Sequence, residues 1–88
     1  MIPRFLIIYS APAERSLLRL PKDVRIRLLV KIGGLAENPW PPGVRKLEGF
    51  DAYRVRVGDY RIIYKVDGGR LVVLVLDVGH RKDIYRRM

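Results

Sequence analysis

The chain contains no cysteine and a single histidine, His80. Disulfides and thiolate-held metals are therefore excluded, as is a site built from several histidines of one chain. A cysteine-free chain fits a reducing, cytoplasmic setting. Acidic residues are also few. Nine Asp and Glu stand against eighteen Lys and Arg, a formal net charge of +9 with a pI near 10.5. Carboxylate pairs suited to glycoside chemistry are not evident, and there is no P-loop, GxGxxG, HExxH, GxSxG or CxxC pattern. No cofactor or metal is expected. The opening segment Met1–Tyr9 is apolar but far shorter than the roughly 20 residues of a membrane span or a complete signal sequence with its cleavage site. There are no repeats, low-complexity tracts or internal linkers.

What is present suffices for one domain, 1–88, with a real core, because 49% of the 88 residues are apolar. The positive charge implies attraction to nucleic acid, an anionic surface or an acidic protein, and does not choose among them.

Arg4–Tyr9 is rich in β-formers and reads as a first strand. Ser10 is placed to cap a helix carrying Pro12 in its first turn, with Ala13, Leu17 and Leu20 as its apolar stripe. Pro21 ends this helix or starts the next. From Lys22 to Glu37 a second amphipathic helix is expected on Val24, Leu28, Ile32 and Leu35, widened by Ile26, Leu29 and Val30, and frayed or bent at Gly33-Gly34. The cations of both helices are expected on solvated faces. Asn38–Gly43 is a rigid connection in which Trp40 is expected to plug the core. Leu47 and Phe50 are expected to be buried, with Arg45 and Lys46 either at the surface or toward a substrate.

Tyr53–Val66 reads as two strands around Gly58-Asp59. Glycine at the first central position suits the positive φ of a type II′ turn. Val57 then faces Tyr60, Arg56 faces Arg61, Val55 faces Ile62, and Arg54 faces Ile63. Strand alternation puts Arg54, Arg56 and Arg61 on one face and Tyr53, Val55, Val57, Tyr60, Ile62 and Tyr64 on the other, apolar one. Like charges directly opposite destabilise a strand pair, and an anion across them relieves the repulsion. Arginine forks match phosphate geometry.

A turn at Asp67-Gly68-Gly69 precedes the apolar strand Arg70–Val78, read as a central strand covered on both faces. If that turn holds three residues, Asp77 and Arg81 join the Arg56/Arg61 side; if two, they do not. Gly79–Met88 is a short basic tail with one helical turn. The order is β-α-α-β-β-β, an α+β fold: an antiparallel sheet with a helical hairpin packed on one face and a cationic surface exposed on the other.

The hairpin Tyr53–Tyr64 followed by Val78-Gly79-His80-Arg81-Lys82-Asp83-Ile84-Tyr85 resembles the RelE branch of the RelE/ParE toxin superfamily, and the likeness covers the whole chain. It implies a compact microbial-RNase-like fold and the toxin of a type II toxin-antitoxin system, which cleaves mRNA in the ribosomal A site without metal. It also implies a cognate, usually acidic RelB-like antitoxin that wraps the toxin in a hetero-oligomer, and no membrane partner. By motif position, Arg54 and Arg56 match the family's basic pair on the second strand of the order above. Arg61 matches the arginine on its third strand, Arg81 the arginine after its fourth, and Tyr85 the C-terminal tyrosine. Arg61 and Arg81 would then bind the phosphate and its transition state, with Tyr85 stacking on a base or helping to activate the 2′-hydroxyl. Arg45, Lys46, His80 and Lys82 are candidate substrate contacts.

One departure matters. The second-strand pair is often lysine in the family, and both residues here are arginine. Arginine stays protonated, so Arg56 suits a clamp better than a general base. That leaves Tyr85 or His80 to move a proton. Two other readings stay open: a ParE-like inhibitor of DNA gyrase, and a non-catalytic basic RNA-binding protein or inactive toxin.

Overall fold

The computed structural model describes residues 4–87; residues 1–3 of the apolar opening segment and Met88 of the tail lie outside it. In order the elements are β1 (Leu6–Tyr9), α1 (Ala11–Arg19), α2 (Lys22–Leu35), β2 (Arg45–Lys46), β3 (Tyr53–Val57), β4 (Tyr60–Asp67), β5 (Val72–His80) and a 3-10 turn at Ile84–Arg87. The five strands form one sheet in the order β1-β5-β4-β3-β2.

Ser10 turns the first strand into the first helix with one hydroxyl. Its Oγ accepts from the Ala13 N–H at 3.1 Å and donates to the Leu76 carbonyl at 2.7 Å. The same group thus caps α1 and ties it to β5. Pro21 caps α2 without a side-chain bond, its carbonyl accepting from the Arg25 N–H. The helix runs through Gly33-Gly34 to Leu35, two residues short of the expected Glu37.

Ala13 and Leu17 of α1 and Leu28, Ile32 and Leu35 of α2 pack with Val55, Ile62, Tyr64, Val73, Val75 and Val78 of the sheet. Apolar burial of this kind is the main favourable term in folding. The three tyrosines assigned to the apolar face, Tyr53, Tyr60 and Tyr64, are found there. Tyr64 is fully buried and Tyr60 packs at the margin of the cluster.

Several expectations need correction. β1 pairs parallel with β5, so the sheet is mixed: the helical hairpin carries the chain from β1 at one edge to β2 at the other, and the antiparallel meander returns to β1 with its last strand running the same way. Arg45 and Lys46 form a short extra edge strand against Arg54 and Tyr53. Ile26, Leu29 and Val30 are substantially exposed, since a helix laid on a sheet buries only one stripe. Trp40 is half exposed and meets Phe5 edge to face at 6.2 Å; it is no core plug. Phe50 is likewise exposed, while Leu47 is half-buried.

The cationic face is not bare either. Ala52, Ile63 and Ile84 form a second small core there, flanked by Leu47 and Leu76. Ile84 belongs to the tail, so the tail folds back over this face. As a result β4 is the strand buried on both sides, with Arg61, Ile62, Ile63 and Tyr64 all buried in succession.

Candidate nucleic-acid interface

Gly58 opens the hairpin turn at φ +58° while Asp59 keeps a negative φ, as a type II′ turn requires. The pairing is Arg54 with Ile63, Val55 with Ile62, Arg56 with Arg61 and Val57 with Tyr60, the register expected from the sequence. The extra strand lengthens the basic row, placing Arg45 opposite Arg54. Two neighbouring rows on one face therefore read Arg45, Arg54, Ile63 and Arg56, Arg61, Gly79.

Arg61 is the only buried charged residue among those described, at 7% exposure. Its Nη1 donates to the carbonyls of Tyr60 (3.2 Å) and Gly58 (3.4 Å), but its buried Nε has no partner among the described residues. The Nε of Arg54 is also buried and has no partner among the described residues. Taking a charge out of water costs several kcal/mol unless another group compensates. Neither arginine forms an ion pair among the described residues. An anion bound over the two rows would supply the missing compensation.

The last strand reaches this site by neither of the two turn lengths expected. Four residues connect Asp67 to Val72, and a bulge between Ile63 and Tyr64 of β4 lets Leu76 stand as an extra residue. A bulge shifts the alternation by one. Beyond it Gly79 lies opposite Arg61, and the Arg81 N–H extends the ladder to the Asp59 carbonyl at 2.8 Å. Arg81 Nε also lies 3.8 Å from Asp59 Oδ1, an exposed pair. So Arg81 is fastened to the hairpin turn, two residues from Arg61. The Asp77 carboxylate instead accepts from the Ser16 hydroxyl at 2.7 Å and turns toward α1.

Tyr85 is 43% exposed and lines a cavity of about 280 Å³ with Leu47, Glu48 and Phe50. Its neighbour Ile84 anchors the tail to the cationic side of the sheet, which brings Tyr85 to that side. Phe50, expected in the core and not at a site, is the second aromatic there; it follows Gly49, which takes a positive φ of +80°.

Two candidates are placed elsewhere. His80 pairs with Tyr60 across the strands, and their rings meet edge to face at 5.5 Å. Tyr60 belongs to the helix-side core, so His80 lies on the opposite face from Arg61. Its Nδ1 accepts from the Lys82 N–H at 3.1 Å, making it a turn-stabilising residue. Lys46 pairs with Tyr53, whose ring lies 5.9 Å from Tyr64, and alternation directs it away from the arginines. Lys82 is exposed in the turn after β5.

The class the structure defines is a small, basic α+β protein with two helices on one face of a mixed five-stranded sheet and arginines gathered on the other. A family profile described as "ParE toxin of type II toxin-antitoxin system, parDE" matches residues 7–85. Among curated proteins, Toxin RelG of Mycobacterium tuberculosis is 32% identical over 87 residues, covering 94% of this chain and 98% of that one. Toxin RelE of the same organism is 32% identical over 84 residues, 91% of this chain and 84% of that protein. Among solved structures, the archaeal RelE-RelB complex from Pyrococcus horikoshii contains a chain with a TM-score of 0.79 and 32% identity, covering 91% of this chain and 98% of that one. The isolated E. coli RelE toxin gives a TM-score of 0.76 at 27% identity, covering 94% and 93%. The chain belongs to the RelE/ParE family of type II toxin-antitoxin toxins.

Proposed function

We propose that this toxin is an endoribonuclease that cuts mRNA in the ribosomal A site and so stops translation in the cytoplasm. The observation that carries the reading is Arg61: a buried, incompletely bonded cation facing Arg56, with Arg81 fastened beside it.

The reaction asks for three things. A base takes the proton from the ribose 2′-hydroxyl, whose oxygen attacks the neighbouring phosphorus. Cations stabilise the charge on the pentacoordinate phosphorane. The P–O5′ bond then breaks and the leaving oxygen takes up a proton. No step requires a metal. Arg61 and Arg81 suit the phosphate oxygens, with Arg54 and Arg56 as the clamp that holds the strand. Preorganised cations in a site that excludes water stabilise developing charge without having to reorganise. His80 faces the helices, which leaves Tyr85 as the candidate for moving a proton. Its exposed ring beside Phe50 is equally suited to stacking an unpaired base.

A RelB-like antitoxin is the expected partner. RelE is found with RelB in the complexes from Pyrococcus horikoshii, E. coli and Methanococcus jannaschii. A net charge of +9 here favours an acidic antitoxin. The ParE description of the family profile keeps one rival reading, gyrase inhibition. Cell-free translation of a defined message, followed by mapping of 5′ ends, tests the proposal beside a supercoiling assay. Cuts within A-site codons are expected with unimpaired supercoiling. Blocked supercoiling on an uncut message would assign the protein to gyrase.

A further inference from the structure

β2 covers only the first part of the edge of β3, pairing Arg45 with Arg54 and Lys46 with Tyr53. Among the described strands none pairs with the outer edge of Val55–Val57. α2 runs past this open edge and presents two cations one helical turn apart. Arg27 reaches the hairpin end, its Nη2 lying 2.9 Å from where a Cβ on Gly58 would sit. Lys31, half-buried, lines a cavity of about 250 Å³ together with Pro42, Gly43, Arg45, Arg54 and Arg56.

Four cations and no carboxylate border that space. None of the four forms an ion pair among the described residues, and the Arg54 Nε is buried without a partner. Such a concentration of positive charge in a walled recess calls for a counter-charge. Arg56 is common to both places: it borders the cavity and it faces Arg61. A strand held at Arg61 can therefore pass Arg56 and continue into the cavity without leaving positive ground. Arg54 and Arg56 occupy successive positions on one face of β3, about 6.6–6.8 Å apart along the strand.

We propose that this edge cavity is a second phosphate site, in which Lys31, with Arg45 and Arg54, holds an RNA backbone phosphate next to the scissile one. The inference rests on the ribonuclease reading for the identity of the strand. It gives Lys31 a binding role that its place on the helix surface does not suggest.

The test separates the two. Binding of the full chain to a non-cleavable 2′-O-methyl oligouridine 12-mer is followed by fluorescence anisotropy across a salt series. For single strands, log K falls with log salt at about −0.7 per phosphate neutralised. Lys31→Ala is expected to weaken binding and to lower the slope by about 0.7, and Lys31→Arg to restore both. Arg70→Ala removes the same charge beside Asp67, far along the sheet, and is expected to leave slope and affinity unchanged.

A wild-type slope in Lys31→Ala, or an equal loss in Arg70→Ala, overturns the site even if the protein cuts mRNA. So does the absence of any binding by the wild type. If Lys31→Ala weakens binding of a polyglutamate peptide and not of the oligonucleotide, the cavity serves an acidic protein and the proposal falls. If the predicted slope change appears while ribosome-bound mRNA stays intact, the phosphate site stands and the cleavage reading fails alone.

Discussion

Arg56 stands directly opposite Arg61 across the hairpin, and neither forms an ion pair among the described residues. Arg61 is buried, and its Nε has no partner among the described residues, so a desolvation cost stands against its two carbonyl bonds. Replacing buried charge by an apolar group of similar volume is often neutral or stabilising. Arg61→Met is therefore expected to hold or raise stability by about 1–2 kcal/mol while reducing mRNA cleavage about 100- to 1000-fold. Thermal melts beside a cleavage assay check both. A large drop in melting temperature would show that the two carbonyl bonds outweigh the repulsion.

Arg81 is a different case, since its side chain is exposed and, among the described residues, pairs only with Asp59. Exposed ion pairs contribute about 0–1 kcal/mol. Arg81→Ala should thus melt close to the wild type yet lose most of its cleavage rate in single-turnover measurements. Unchanged rates would remove Arg81 from the site.

Tyr85 lends itself to a two-variant experiment. If the ring stacks on a base, Tyr85→Phe keeps most of the activity, whereas Tyr85→Ala loses about 1–3 kcal/mol of base stacking. If the hydroxyl carries a proton, both variants fall together. Its exposure beside Phe50 favours the first outcome.

Gly58 is bound to its identity twice over. At φ +58° a Cβ is strained, and it would meet Arg27 Nη2 at 2.9 Å. Gly58→Ala is expected to destabilise by about 1–2 kcal/mol in chemical denaturation. The Arg27 side chain can swing aside, so most of that cost should persist in Gly58→Ala/Arg27→Ala.

Tyr64 sets an alkaline limit. Burial, with Tyr53 beside it, raises its phenol above the ordinary 10.0, and its hydroxyl donates to the Pro39 carbonyl at 2.6 Å. The unfolded chain loses this proton first as pH passes about 10, so the native state binds more protons above that point. The contribution is whole below pH 10 and declines above it by up to about 1.4 kcal/mol per pH unit. Tyr64→Phe should lower stability at neutral pH by about 1–3 kcal/mol through the orphaned carbonyl, and flatten the alkaline decline. Some slope should remain, because burial raises Tyr9 in the same direction.

The hairpin could be read residue by residue because every determinant was local. Gly58-Asp59 sets the loop, the loop sets the register, and period-two alternation sorts the arginines from the tyrosines. The Ser10 cap was equally local. Trp40 and Phe50 were misplaced because their burial depends on which distant surface arrives beside them. The bulge at Leu76 gave no signal of its own, though it decides on which face the last strand ends.

The paired arginines and the order of the longer elements are thus written locally in the chain, since turn chemistry and side-chain periodicity act over a few residues. The burial of Arg61, the tie between Arg81 and Asp59, the turn of His80 toward the helices and the meeting of Lys31 with Arg54 at an open strand edge came instead from the assembled fold. Each of those depends on contacts between segments far apart in the chain, and their geometry is set by packing of the whole domain.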